Sequence, residues 1–151
     1  TYARIGRWLR THSVRGLSRK LHIQQKILRS RVRSYRMQHG IGSTGAGAKV
    51  WYGLRPIPLM RLRPRKAGKG IRAAGGRYVE GAFIGTLRGR PQVLKRVGDA
   101  RLPVQIVVAD IDEASTVYIE DELVGTDRFD AQFFRFLEHE LKWRTQISPS
   151  R

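Results

Sequence analysis

Between residues 76 and 111 the sequence GRYVEGAFIGTLRGRPQVLKRVGDARLPVQIVVADI is cut by glycine and proline into apolar runs too short for helices, so this stretch must form a sheet. Residues 78–87 read as a first run, interrupted by Gly81 and Gly85. Gly89 and Pro91 punctuate a tight reversal, which predicts that residues 92–97 lie antiparallel beside the first run. Residues 104–111 form the third run. Its block Ile106, Val107, Val108, Ala109 is apolar at successive positions, which predicts a strand covered on both faces at the centre of the sheet.

Upstream, residues 2–10 (YARIGRWLR) read as the tail of a helix with Ile5, Trp8 and Leu9 on one side and Arg4, Arg7 and Arg10 on the other, although Gly6 weakens it. Trp8 reads as a core or interface anchor before a base-stacking platform, because buried area dominates aromatic usage. From Leu17 through Leu21, Gln24, Leu28 and Val32 to Tyr35 the spacing suits one continuous basic helix. A short helix near 24–31 followed by a strand near 32–37 is preferred, because HGIGSTGAGA then reads as a connection into the β-like run 49–52, completing a hairpin. Gly40, Gly42 and Gly45 satisfy G-x-G-x-x-G, but no buried strand precedes them and no helix follows, and Ala48 displaces Lys49 from the Walker position. A nucleotide site is not expected there.

Residues 54–62 (LRPIPLMRL) should be extended, since Pro56 and Pro58 each fix φ and remove a donor. Residues 63–77 combine Arg63, Arg65, Lys66, Lys69, Arg72 and Arg77 with Gly68, Gly70, Gly75 and Gly76, and read as a long flexible loop able to reach a phosphate backbone without sequence register. Beyond the sheet, residues 113–125 are ambiguous between helix and irregular structure. Asp127 can cap a last helix with Asp130 in its first turn. Phe129, Phe133, Phe136, Leu137 and Leu141 then form an apolar stripe, expected to pack on the sheet and extended by Trp143, until Pro149.

The 151 residues suit one domain, which at this size buries roughly 68–70% of its unfolded surface. The fold class expected is α+β: a mostly antiparallel sheet packed by a C-terminal helix, with a basic N-terminal helical segment and a long Gly/Arg-rich loop. Its parts are a basic arm and hairpin (1–62), the basic loop (63–77), and core sheet plus helix (78–146). No Cys occurs, which excludes disulfides and thiolate metal sites and suits a reducing cytoplasm. No apolar run approaches the ~18 residues of a membrane helix and no signal segment opens the chain, so a soluble protein is expected. Residue 1 is Thr, which leaves open a natural start and a helical turn upstream.

Charge is distributed unevenly. Residues 1–79 hold 20 Lys or Arg and no acid, whereas residues 80–151 hold 10 bases and all 12 acids. Such a block points to a polyanionic partner for the first half, most simply nucleic acid. Asp110, Asp112 and Glu113 are a candidate Mg²⁺ site, but no His or further carboxylate lies near, and acids after a strand ordinarily cap the next helix. His12, His22, His39 and His139 are scattered, and Ser115 and Thr116 lack a nucleophile-elbow context, so no catalysis, metal or cofactor is expected.

Gly81-Ala82-Phe83-Ile84, a glycine-containing turn, Val93 and Arg96, then Arg101-Leu102-Pro103-Val104 together resemble the minor tail protein Z (tail completion) family of lambda-like tailed bacteriophages. The pattern spans about thirty residues, with weaker similarity on both sides, including a basic segment before a pair of strands. The resemblance implies a structural virion protein assembled in the host cytoplasm, sitting at the head-proximal end of the tail, and helping head–tail joining and DNA-end positioning. By the same analogy it forms a homo-oligomeric ring, a hexamer, touching the tail terminator, tail tube and connector but no membrane. Arg61, Arg63, Arg65, Lys66, Lys69, Arg72 and Arg77 would then face the DNA channel, with Arg15, Arg19, Lys20, Lys26, Arg29, Arg31 and Arg33 forming a basic arm. Two rivals stand beside it. One is a cytoplasmic, ribosomal-type RNA-binding protein, opposed by bases not interleaved with surface aromatics and by the lack of an RRM, KH or double-stranded-RNA motif. The other is a nuclease using Asp110 and Asp112.

Overall fold

The computed structural model describes residues 2–37 and 47–147. It opens with α1 (Tyr2–Leu21), which buries Ile5, Ser13, Val14, Leu17 and Leu21 along one stripe. The stretch 2–10, expected to be the tail of a helix, is instead the first half of one that runs for 20 residues. Gly6 is tolerated in it because another element lies across the helix: a Cβ there would come within 2.6 Å of Ser34 Oγ. Gly16 plays the same part for the Tyr118 ring, which occupies the space a Cβ would need. At the end of α1, His22 turns left-handed (φ 53°), and Ser18 Oγ donates to Ile23 O at 2.6 Å.

The short helix α2 (Gln25–Arg29) and the strand β1 (Val32–Met37) follow, as the preferred reading of that stretch expects. β1 pairs antiparallel with β2 (Gly47–Tyr52), in register from Val32 opposite Tyr52 to Met37 opposite Gly47. The candidate phosphate-loop glycines Gly40, Gly42 and Gly45, together with His39, lie outside the described residues. After Tyr52 the prolines hold the chain extended only through β3 (Ile57–Pro58). Leu59–Leu62 then close as a 3₁₀ turn, contrary to the extended run expected, because both Pro residues precede the turn and Leu59 and Leu62 gain burial by it.

The expected flexible loop is instead ordered sheet. β4 (Arg65–Ala67), β5 (Gly70–Ala73) and β6 (Arg77–Glu80) form an antiparallel sheet in that order, turning through Gly68 at φ 54°. Alternation explains it: Ile71 and Ala73 point inward and are 2% and 6% exposed, while Arg72 points out. Together with Val79 opposite Ile71 these few apolar residues suffice, because the remainder of the molecule covers them.

Gly81, at φ 72°, splits the first predicted run into β6 and β7 (Ala82–Leu87), which belong to different sheets. β7 and β8 (Arg90–Arg96) form the expected hairpin, through a two-residue turn in which Arg88 and Gly89 both have positive φ (51° and 73°), as a type I′ turn requires. The centre of this sheet is β8, with Val93 and Leu94 buried, and not the third run. That run divides into β9 (Val104–Ile106), an edge strand on β8, and β10 (Val108–Ala109), paired with β3. Val107 is the crossover: its N–H donates to Val93 O at 2.8 Å, and its carbonyl accepts from Leu59 N–H at 2.9 Å. A strand that changes sheets cannot be covered on both faces, and Ile106 and Val108 are accordingly exposed.

α3 (Asp112–Val117) leads into a π-helical turn, Tyr118–Val124, and then α4 (Asp127–Ile147). α4 forms where expected but does not pack on the sheet. Trp8 and Phe129 ring centroids lie 6.3 Å apart, Tyr2 and Phe133 6.4 Å, and Arg4 Nη1 donates to His139 Nδ1 at 3.0 Å, all between α4 and α1. The inner sheet surfaces are already covered by Val14, Leu17 and Leu21 of α1, in one core with Ile23, Leu28, Ile57, Leu62 and Val93. Only the flank of α1 remains for α4. The expected α+β class, with mostly antiparallel strands and a C-terminal helix, is what the chain forms.

Candidate nucleic-acid interface

The basic residues divide into those that hold the fold together and those left to solvent. Arg77 Nη1 donates to Ala74 O at 2.7 Å and Nη2 to Leu21 O at 2.9 Å, tying β6 to the end of α1. Arg31 donates to the carbonyls of Gly53 (3.2 Å), Arg55 and Pro56 (3.5 Å), and burial first, then the Arg61 charge, pulls its guanidinium below the ordinary value. Lys20 is ion-paired with Glu122, and Arg29 Nη2 donates to Gln25 Oε1 at 3.3 Å. These are poor candidates for a phosphate contact, Arg31 and Arg77 above all. Arg15, Arg19, Lys26 and Arg33 are exposed, as are Arg61, Arg63, Arg65, Lys66, Lys69 and Arg72.

Two clusters emerge. On the β4–β5–β6 sheet, Arg65 lies opposite Arg72 and Arg72 opposite Tyr78, placing all three on one face, with Arg72 Cζ 5.9 Å from the Tyr78 ring centroid. The other flank of this sheet adjoins the residues of the family resemblance: Lys66 and Lys69 share a depression of about 410 Å³ with Ala82, Phe83 and Ile84. Gly81 N–H donates to Lys69 O at 2.9 Å, and Arg96 Cζ sits 5.8 Å over Phe83. Arg101, Leu102 and Pro103 lead into β9, with Val97 N–H donating to Pro103 O at 3.0 Å. The spaced pattern therefore falls on the strands β7 and β8 and on the turn and loop that lead into β7 and β9.

The second cluster is on the β1–β2 hairpin. Arg33 faces Trp51 across the strands and Tyr35 faces Lys49, so the four side chains share one surface, where Tyr35 is 48% and Trp51 47% exposed. Together with Arg55 they line a depression of about 690 Å³. The opposite surface carries Val32, Ser34, Val50 and Tyr52 toward α1. There Ser13 Oγ donates to Leu9 O at 2.7 Å, so Tyr52 donates to Ser13 at 2.8 Å. Burial pushes the Tyr52 phenol above its ordinary value, with the Ser13 contact opposing. The judgement that bases are not interleaved with aromatics is overturned by this register. The interleaving runs across strands and not along them, and pairing RVRSYRM against KVWY would have revealed it.

The remaining candidates among the described residues form no cluster with one another. Asp110 Oδ1 accepts from Asp112 N–H at 3.0 Å in a local turn, and Asp112 Oδ1 from the Thr116 hydroxyl at 3.4 Å; the capping role expected of these acids is not taken up, since Ile111 stands at the N-cap of α3 with no side-chain bond there. Among the described residues no group of three His, Cys, Asp or Glu is placed to hold a metal. His12 stacks on Trp8 at 4.2 Å and donates from Nδ1 to Trp8 O at 3.0 Å, and Ser115 is fully buried. Comparison with family models, curated proteins and solved structures returns no match.

Proposed function

We propose that this chain is a structural protein of a tailed-bacteriophage virion, a minor tail or tail completion protein. It acts as a ring at the head-proximal end of the tail, where it helps head–tail joining and positions the end of the genome. The observation that carries this reading is the pattern Gly81–Ile84, Arg96 and Arg101–Pro103, whose residues lie in or lead into the strands of one sheet beside the exposed bases of β4–β5. Charge supports it: an acid-free first half suits a polyanion in the channel, and exposed Glu120 and Asp121 on the second half suit a head-to-tail contact with the basic half of the next copy. A cyclic ring, with six copies as its number, needs an apolar contact as well, and α4 presents Phe134, Leu141 and Trp143 to solvent. Neighbours would be the tail terminator, tail tube or connector.

Replacing Arg65, Lys66, Lys69 and Arg72 together by Glu tests the reading. Folding should be intact, since all four are exposed, while DNA retention or head–tail joining is lost. Unchanged infectivity would contradict it. One observation favours the rival RNA-binding reading, the aromatic and basic face of β1–β2. Enrichment of the chain on host ribosomes would decide for it.

A further inference from the structure

We propose that the outward face of the β1–β2 hairpin binds a single-stranded polynucleotide, with Trp51 and Tyr35 stacking unpaired bases and Arg33, Lys49 and Arg55 contacting phosphates. It extends the virion reading by giving the nucleic acid met there a strandedness, and its chemistry stands apart from the β4–β5 bases.

The two rings are not a spill-over from the core. Tyr52, next to Trp51, turns inward to Ser13, whereas Trp51 and Tyr35 occupy the alternate positions that solvent reaches. They sit diagonally across the register, about 7 Å apart by the geometry of such pairs, so each can hold one base face without crowding the other. Trp51 is also held in place: a Cβ on Gly53 would come within 2.7 Å of its Cη2. Beneath, Arg31 clamps three carbonyls and keeps the turn after β2 rigid, so that little ordering remains to be done on binding.

Charge selects the ligand. No carboxylate lines the depression, and none exists within residues 1–79 to neutralise Arg33, Lys49 and Arg55. The positive surface continues past Arg33 and Tyr35 into a groove of about 450 Å³ shared with Arg7 and Arg10 of α1. An acidic peptide would meet the cations but leave both rings unused. Duplex DNA offers phosphates but keeps its base faces stacked. Only an unpaired strand uses both. Because stacking on a ring and contact with phosphate are open to every base and either sugar, binding should depend little on sequence or on the 2′-hydroxyl.

The test is fluorescence anisotropy of the full chain with labelled dT15, rU15, a duplex of equal length, and poly-glutamate as a competitor. The Trp51→Ala/Tyr35→Ala double variant should lose about thirtyfold or more on dT15 and rU15 alike, with duplex affinity nearly unchanged. Trp51→Phe, which keeps a ring, should recover most of that loss. Equal losses on single strand and duplex, no loss at all, or poly-glutamate competing as well against the double variant as against dT15 on the parent would overturn the proposal. Because the readout uses purified protein, failure of the virion reading leaves this result standing, and the reverse also holds.

Discussion

α1 and α4 are nearly equal in length, 20 and 21 residues, and both are amphipathic, yet α1 buries six residues whereas none of the described α4 side chains is buried. α1 is gripped from two sides, by the β1–β2 hairpin across Gly6 and by Tyr118 across Gly16. α4 touches α1 through a few rings and leaves Phe134, Leu141 and Trp143 more than half exposed. Sequence periodicity is similar in the two helices, so amphipathicity alone says that a stripe will be covered, not by what. In α1 the cover is the chain itself. In α4 the cover proposed is another copy.

Truncating the two stripes should give unequal costs. Leu17→Ala, at a position 1% exposed in the central core, should cost about 2–5 kcal/mol in urea denaturation. Leu141→Ala, 55% exposed on α4, should stay within about 0.5 kcal/mol. Equal costs would erase the distinction between the helices. Next in size is Gly16→Ala. At an ordinary helix position this exchange gains about 1 kcal/mol, but displacing the Tyr118 ring should reverse the sign and cost about 1–3 kcal/mol. A stabilised variant would show that Tyr118 does not grip α1.

The hairpin's hold on α1 also carries a pH signature. Burial raises the phenols of Tyr52 and Tyr118, the second aided by Glu122, so the folded state favours their neutral forms. The unfolded phenol ionises near pH 10, so this contribution is fully present below about pH 10 and is lost as pH rises through the higher folded values. Tyr52→Phe should cost about 0.5–1.5 kcal/mol at pH 8 and flatten the alkaline loss of stability. An unchanged alkaline slope would remove Tyr52 from that account. The smallest effect on stability is expected for Phe134→Glu with Leu141→Glu on α4, which should leave the denaturation midpoint in place while shifting the mass by light scattering from oligomer to monomer. A lower midpoint with unchanged mass would mean that this stripe serves the fold.

Legibility in the sequence followed how local the determinant was. The hairpin β7–β8 was readable because the Arg88-Gly89 turn carries its own conformational signal, and β1–β2 because alternation at 32–37 and 49–52 survives without context. The α4 stripe was readable in the same way, though not its partner. The sheet over 63–77 is hidden in the sequence because only Ile71 and Ala73 in this stretch are buried apolar side chains, and they become enough only beside Val79 and the surrounding core. The position of 104–111 is not legible locally, because a crossover at Val107 depends on Leu59, far away in sequence. The aromatic and basic surface needed register: Arg33 and Trp51 are eighteen positions apart and become neighbours only once the strands pair.

The proposed virion role gives the basic surfaces and the outer stripe of α4 to an assembly, while the chain folds around α1. The most direct test of that role is the copy number of the chain, by quantitative mass spectrometry, in purified tailed particles and in the host ribosome fraction. A small fixed number, about six per particle for a closed cyclic ring, is the expected result. Absence from particles together with enrichment on ribosomes would contradict it.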